Sequence, residues 1–286
     1  MRYALNAPNF AEYADVRTVA ALAADAEAAG WDGFFVWDHM VFAKEQKLPV
    51  ADPWILLAAV ALATERLRLG PMVTPLARRR PWKVARETVT LDHLSGGRLI
   101  LGVGLGTPAA DEYGSFGEPT GVAVRAAMLD EALEVLTLLW SGETVSFHGE
   151  HFRLDEVAFR PTPVQRPRIP IFVAGVWPRR APLRRAARFD GVVPLKVGDD
   201  GDLVPLSADD LVELLASVSA HRPGGEPFEV MVGGETPGGD LAAALAVVEP
   251  LAEAGMTWWS ESLEPHRGGL AAMRERVRQG PPRRST

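Results

Sequence analysis

The sequence predicts an α/β chain folded as a single (β/α)8 barrel. Strand-like and helix-like segments alternate about eight times along the chain, roughly 36 residues per unit, which is the arithmetic of such a barrel. Residues 87–106 read as one complete αβ unit. Val89, Leu91 and Leu94 lie along the end of a helix that breaks at Gly96-Gly97, where positive φ costs glycine almost nothing. Arg98 then leads into Leu99-Ile100-Leu101, a short continuous apolar run of the kind buried on both faces in a parallel sheet, and the run ends at Gly102, Gly104 and Gly106. Weak internal similarity agrees: Ala26-Glu27-Ala28-Ala29-Gly30 and Ala252-Glu253-Ala254-Gly255 both end a helix just before an aromatic-rich strand. A doubly wound open sheet would need long crossovers and more chain on one edge, which the pattern does not provide.

Taken in order, residues 2–7 form the first strand and Asp15 caps a helix reaching about Ala29, with Val16, Val19, Leu22 and Ala26 on one stripe. Gly33 to Trp37 is the second strand, ending in Asp38-His39. Asp52-Pro53 starts the next helix, an acceptor at the N-cap with proline in the first turn, running to about Thr64. The third strand begins at Leu67 and carries Met72-Val73-Thr74 at its far end, and a helix over about 82–94 follows. Residues 107–121 form a loop of functional length, and a helix over about 122–140 shows Leu129, Leu133, Leu136 and Leu139 at helical spacing. Residues 144–168 break the rhythm: Val145-Ser146-Phe147 and Phe152-Arg153-Leu154 flank a turn and predict a small β-hairpin inserted after that fourth helix. Strands at Ile171–Gly175, Gly191–Val193, Glu229–Val232 and Met256–Trp259 then alternate with helices from Pro178, Ser207 and Asp240, and a last helix covers about 268–279. The barrel domain is expected over 1–280, with residues 281–286 as a frayed tail.

Composition narrows the function. A net charge of −7 gives no electrostatic support for nucleic-acid binding. Cysteine is absent, which removes disulfides, thiolate nucleophiles and cysteine-ligated metals and fits a reducing compartment. No uncharged run reaches the ~18 residues of a membrane span, and the N-terminus has no basic and apolar leader, so a cytoplasmic location is expected. No H-E-x-x-H or G-x-S-x-G pattern occurs, and the other histidines (93, 148, 151, 221, 266) read as structural, so neither a metal centre nor a serine hydrolase is expected.

Barrel enzymes place their sites at strand C-termini. The shortlist is therefore Asp38 and His39 after the second strand, Met72, Val73 and Thr74 after the third, Gly104 and Gly106 after the fourth, Ala174 and Gly175 after the fifth, Pro194 to Lys196 after the sixth and Glu261 after the eighth. Gly104-Leu105-Gly106-Thr107-Pro108-Ala109 formally fits G-x-G-x-x-A. The dinucleotide fingerprint needs those glycines to open a helix directly, and Pro108, Gly114, Gly117, Pro119 and Gly121 delay it. Trp177-Pro178-Arg179-Arg180 suggests a helix N-terminus with two arginines, able to hold an anion such as a cofactor phosphate, with Lys196 as a second candidate. The basic cluster Arg78-Arg79-Arg80 reads either as an anion site or as solvated loop charge.

The glycine-ended unit at 87–106, together with Trp37-Asp38-His39, Val73-Thr74-Pro75-Leu76 through Pro81, and Ile171-Phe172-Val173-Ala174-Gly175, resembles the luciferase-like flavin and deazaflavin oxidoreductases. The resemblance covers roughly residues 1–275 and implies the same barrel. It implies a homodimer, and a small-molecule substrate chosen by loops 40–52, 107–121 and 150–168. It further implies that Asp38 hydrogen bonds the ring of deazaflavin F420, that His39 contacts the ring or transfers a proton, and that a bulge with a cis Pro71–Met72 bond backs the cofactor. Gly104 and Gly106 would let the ring approach the backbone. The alternative for the pair has Asp38 capping its loop and His39 packing against Trp54. Some F420-dependent dehydrogenases carry a glutamate just after the glycine pair. Here Thr107 stands in its place, with Asp111 and Glu112 further on, which argues against sugar-phosphate chemistry. FMN with monooxygenase chemistry is the alternative on the same fold, and a non-catalytic flavin-binding barrel the third.

Overall fold

A computed structural model describes residues 1–222, 224 and 226–284. Its elements, in order, are β1 (Arg2–Ala7), α1 (Val16–Ala28), β2 (Gly33–Val36), α2 (Pro53–Ala63), β3 (Arg68–Pro71), β4 (Thr74–Pro75), α3 (Pro81–Leu94), β5 (Leu101–Gly104), α4 (Ala109–Glu112), α5 (Val122–Trp140), β6 (Thr144–His148), β7 (Arg153–Ala158), β8 (Ile171–Trp177), α6 (Arg180–Ala186), β9 (Gly191–Val197), β10 (Leu203–Val204), α7 (Ala208–Ser219), β11 (Glu229–Gly234), α8 (Leu241–Glu253), β12 (Trp258–Ser262) and α9 (Gly269–Arg278).

Parallel ladders join β3-β2-β1-β12-β11-β9-β8-β5-β4. The ring closes between β3 and β5 through a parallel bridge, Leu69 to Leu99. Among the described residues eight parallel strands therefore make the barrel, with β4 a two-residue continuation beyond the end of β3 and the β6–β7 hairpin standing apart as its own antiparallel sheet. That hairpin is the insertion expected at 144–168. Its turn is held to the barrel by Glu131 of α5, whose carboxylate accepts from the backbone N–H groups of Glu150, His151 and Phe152 at 2.8–3.0 Å.

Alternation along the strands and their immediate ends sends one side chain from each into the barrel, Ala4, Phe35, Met72, Ile100, Phe172, Val193, Met231 and Trp258, all but Ala4 medium or large and all buried in one cluster. Their neighbours in sequence, Leu5, Phe34 and Trp259 among them, face outward into the layer between strands and helices. Of the pairs Phe34-Phe35 and Trp258-Trp259, one member each goes inward. Two residues further along, the same alternation brings Asn6, Ala174, Gly233 and Ser260 to the inner wall. These are small or short side chains, so the plug stops there and a cup opens at the C-terminal end.

The helices begin where the caps predict. Asp15 accepts from Thr18 N at 2.7 Å, Asp52 from Trp54 N at 2.9 Å, and Asp240 from Ala243 N at 2.9 Å. Ser207 and Asp210 form a reciprocal capping box at α7. At the opposite end of the barrel, Arg98 gathers the carbonyls of Ser95, Ala61, Thr64 and Leu67 at 2.6–2.9 Å, which ties the ends of α2 and α3 to the strand that follows.

Two expectations change. Residues 107–121 are a loop with internal structure, since α4 and a 3-10 turn at Gly114–Phe116 lie inside it. The tail is packed as far as Arg284. Pro282 is buried, Arg283 pairs with Asp32 and lies over the Tyr3 ring, and Arg284 reaches Glu249 at 2.6 Å. Opposite charges and an aromatic face next to the last helix overcome end fraying; Ser285 and Thr286 lie outside the described residues.

Barrel closure makes a test. A Cβ added at Gly70 would fall on the carbonyl oxygen of Ile100, a backbone atom that cannot rotate away. Gly70→Ala should lower stability by about 3 kcal/mol, the upper end of overpacking costs, read as a fall in the urea midpoint. An unchanged midpoint would show that the β3–β5 seam is looser than described.

Candidate active site

The cup at the strand C-termini is bordered on one side by His39, just past β2. Its main chain is fixed by Asn9, which donates to His39 O at 2.8 Å and accepts from His39 N at 3.2 Å. The imidazole is packed edge-on by Phe10, Trp37 and Phe42, with ring centroids 5.1–6.0 Å away. Trp54 is not among these neighbours; it lies instead beneath the Arg79 guanidinium, 5.9 Å away.

Beside His39 lies a buried cluster of charge. Asp38 accepts from Arg79 at 2.8 and 3.0 Å, from Arg78 at 2.6 Å, and from the Thr74 hydroxyl. Arg78 also donates to the Asp38 carbonyl at 2.5 Å and to Glu112. Glu112, 1% exposed, faces His39 Nδ1 at 2.8 Å through Oε1, and its oxygens accept from Met40 N at 3.1 Å and Val41 N at 3.3 Å. Two carboxylates meet two guanidiniums, so the cluster is neutral before His39 is counted. Burial raises the Asp38 pKa, but the adjacent Arg79 and Arg78 outweigh it and hold the carboxyl below the usual carboxylate range.

Three separate chain segments meet here: the end of β2, the 3-10 turn Leu76–Arg78 after β4, and α4 in the 105–121 loop. The loop is itself anchored. Arg125 at the start of α5 donates to the carbonyls of Leu105 and Gly106 at 2.7 and 2.8 Å, and the buried Tyr113 hydroxyl donates to Leu105 O at 2.8 Å. Glu112 thus reaches His39 from a rigid support.

The remaining sequence-predicted residues divide between the cup and its outside. Ala174 and the bulge after β3 line the inner wall. The bulge contains a cis peptide, between Met72 and Val73, one bond beyond the expected Pro71–Met72. Pro71 closes β3 against Val36 and is buried, so the irregular backbone starts after it, where the ladder with β2 has ended. Gly102 and Gly104 give room to that bulge. A Cβ at Gly102 would meet Met72 Sδ at 2.6 Å, and one at Gly104 would meet Val73 Cγ2 at 2.7 Å. Gly106 has φ +74° and sits against Pro75. Gly175 is turned away from the cup and packs on Pro182 of α6.

Lys196 also points outward. It pairs with Asp210 at 2.7 Å, while Leu195 keeps the inward register of β9. Burial pushes Asp210 up, but hydrogen bonds from Lys196 and Ser207 prevail and bring it to about 2. Arg179 is exposed at the start of α6, and its neighbour Arg180 covers the Trp177 ring at 5.5 Å. Thr74 is absorbed by Asp38. Glu261 faces the outer layer, where it takes Arg267 at 2.9 Å, Arg276 at 3.3 Å, Trp259 Nε1 at 2.9 Å and Thr236. Arg78, Arg79 and Glu112, like Asn6, Gly233 and Ser260 of the inner wall, are residues that sequence reading did not assign to the site. The run of arginines just past the third barrel strand, together with the aspartate just past the second, was the available signal for the first two.

Two features suit a planar, polar-edged guest in the cup. Gly233 is exposed there and a Cβ on it would meet nothing closer than Ser260 O at 3.8 Å, so open space lies above it. Asn6 Oδ1 and Ser260 Oγ are buried without a hydrogen-bond partner among the described residues, and buried polar atoms of that kind call for a ligand or water.

The luciferase-like monooxygenase family matches residues 1–279, and the chain belongs to that family of oxidoreductases. It is 37% identical over 171 residues to an F420-dependent hydroxymycolic acid dehydrogenase of Mycobacterium tuberculosis, covering 57% of this chain and 45% of that relative. The chain spans about half the length of the first curated relatives it matches. In fold it is similar to an F420-dependent secondary alcohol dehydrogenase in complex with an F420–acetone adduct (TM-score 0.77, 18% identity, 96% of this chain and 97% of that one). It is equally similar to the oxygenating constituent of 3,6-diketocamphane monooxygenase from Pseudomonas putida in complex with FMN (TM-score 0.78, 16% identity, 98% and 96%).

The charge cluster yields a stability test. Asp38 is ionised at neutral pH with a folded-state pKa below its unfolded value of about 3.9. Its contribution is therefore full above about pH 4 and is lost as pH falls through the folded value. Asp38→Asn leaves Arg78 and Arg79 underbalanced and should cost about 3–5 kcal/mol at pH 7. The variant should also show a shallower loss of stability below about pH 4. Denaturant titrations at pH 7 and pH 3 measure both, and an equal gap between wild type and variant at the two pH values would contradict the assignment.

Proposed function

We propose that this chain is an F420-dependent oxidoreductase that moves a hydride between the deazaflavin and a small organic substrate in the cup. When bound, the deazaflavin supplies a ring carbon that gives or takes the hydride, chemistry no side chain of this protein possesses. The observation that carries the reading is His39, an imidazole at the rim of the cup with one ring nitrogen engaged by a buried carboxylate. An imidazole so placed suits the proton that accompanies hydride transfer to or from a substrate oxygen.

The chain's other residues bind and shape. Val73, Ala174 and Gly233 give the ring an uncrowded wall, and Asn6 and Ser260 offer it or the substrate hydrogen bonds. Arg179, exposed just before α6, would meet an anionic cofactor tail. Asp38, whose oxygens are taken by Arg78, Arg79 and Thr74, serves by holding the His39 segment. The likeness to F420-dependent relatives supports this reading. The likeness to an FMN-bound monooxygenase favours the second one, reduced FMN activating oxygen on the same wall. A homodimer of soluble, cytoplasmic character is part of the proposal, to be read from sedimentation velocity.

Fluorescence titration of the protein with oxidised F420 and separately with FMN decides between the two. Saturable binding of F420 and not FMN is expected, and the reverse would transfer the assignment to the monooxygenase. With the bound cofactor and a turned-over substrate, His39→Ala should lower kcat by ~10²–10⁴, the usual contribution of a positioned acid–base group, while cofactor affinity changes little. Full activity in that variant would remove His39 from the chemistry.

A further inference from the structure

We infer that Glu112 is a positioning residue that fixes the tautomer of His39, so that Nδ1 carries the proton and Nε2 is the nitrogen offered to the cup. The inference rests on the reading of His39 as the proton-handling group, but its evidence is in the protein alone. An ionised carboxylate is acceptor-only. Facing Nδ1 at 2.8 Å, it makes the N–H form at that nitrogen the one that is bonded. Nε2 then has its lone pair free. It has no hydrogen-bond partner among the described residues and is not sealed from solvent. A histidine's reactive nitrogen is commonly selected in this way, by what the other nitrogen bonds.

The geometry also separates Glu112 from a direct role. It is buried, its Oε2 is taken by Arg78 and Met40 N, and its Oε1 by His39 with Val41 N. No lone pair is left to meet a substrate, so it does not take over from a glutamate placed directly after the glycine pair. Its support is the anchored 105–121 loop, so the loop that covers one side of the cup also sets the protonation pattern at His39. When the imidazole takes a second proton, the charge lands against Glu112, inside a cluster whose other charges already cancel.

Replacing the carboxylate by its amide makes a sharp test. In Glu112→Gln the side-chain oxygen and NH2 must choose between two positions. The Oε2 position receives two strong donors, Arg78 and Met40 N at 3.1 Å; the Oε1 position receives His39 and the longer Val41 N contact at 3.3 Å. The amide oxygen should therefore take the Arg78 side and present its NH2 to Nδ1, which then must accept. The tautomer inverts.

Two-bond 1H–15N correlation spectra of the cofactor-free protein distinguish the two neutral tautomers, with the His39 signals identified by their loss in His39→Ala and the pH raised until the ring signals stop moving. Wild type is expected to show Nδ1–H with a bare Nε2, and Glu112→Gln to show Nε2–H. A wild-type ring protonated at Nε2 overturns the inference without recourse to any variant, and so does a Glu112→Gln ring that keeps the wild-type pattern. Because no cofactor is present, these outcomes are independent of whether the chain takes F420 or FMN.

Discussion

The site depends on a buried electrostatic knot. Asp38 and Glu112 are carried by segments that are far apart in the chain, and Arg78 bonds to both of them. Removing two carboxylates and two guanidiniums from water is expensive, and their attraction compensates only when the geometry is good and the spare donors and acceptors are filled. Here Thr74, the Asp38 carbonyl and two backbone N–H groups fill most of them, while Arg78 Nε is buried without a partner among the described residues. The knot is thus weak evidence for extra stability and stronger evidence for order. It specifies one arrangement of three loops around His39.

The barrel makes that order possible by ending its plug early. Eight inward residues fill the centre, among them Phe35, Phe172 and Trp258, and above them the wall drops to Asn6, Ala174, Gly233 and Ser260. The cup therefore offers small side chains on one side and the irregular backbone after β3 on another. The glycines at 102 and 104 serve that backbone first, because the space beside them is taken by Met72 and Val73. The flat wall is therefore made by the bulge, and the glycines make room for the bulge.

Most of the fold was legible in the sequence because its signals are local. Caps at Asp15, Asp52, Ser207 and Asp240 and the leucine stripe of α5 announce their helices within a few residues, and the run at 99–101 announces its strand. Within the site, the Asp38-His39 pair and the loop after Gly106 were legible as places. Their pairing was not. Which of three consecutive arginines turns inward, and which carboxylate of Asp111-Glu112 reaches His39, depend on α4 and on backbone geometry after β3. Lys196 and Gly175 were misjudged for a related reason: a one-residue change of parity along a strand moves a side chain from the cup to the helix layer. The tail, expected to fray, is held by Asp32 and Glu249, contacts more than thirty residues away that no local pattern encodes.

The central claim is that a deazaflavin ring occupies the cup against the Met72–Val73 bulge with His39 at its edge. A crystal structure of the protein grown with F420 tests it most directly. The account predicts the ring between Val73, Ala174 and Gly233, with the His39 imidazole in contact and its Nδ1 still bonded to Glu112. A ring bound elsewhere, or a His39 turned away from it with the Glu112 contact broken, would contradict the account.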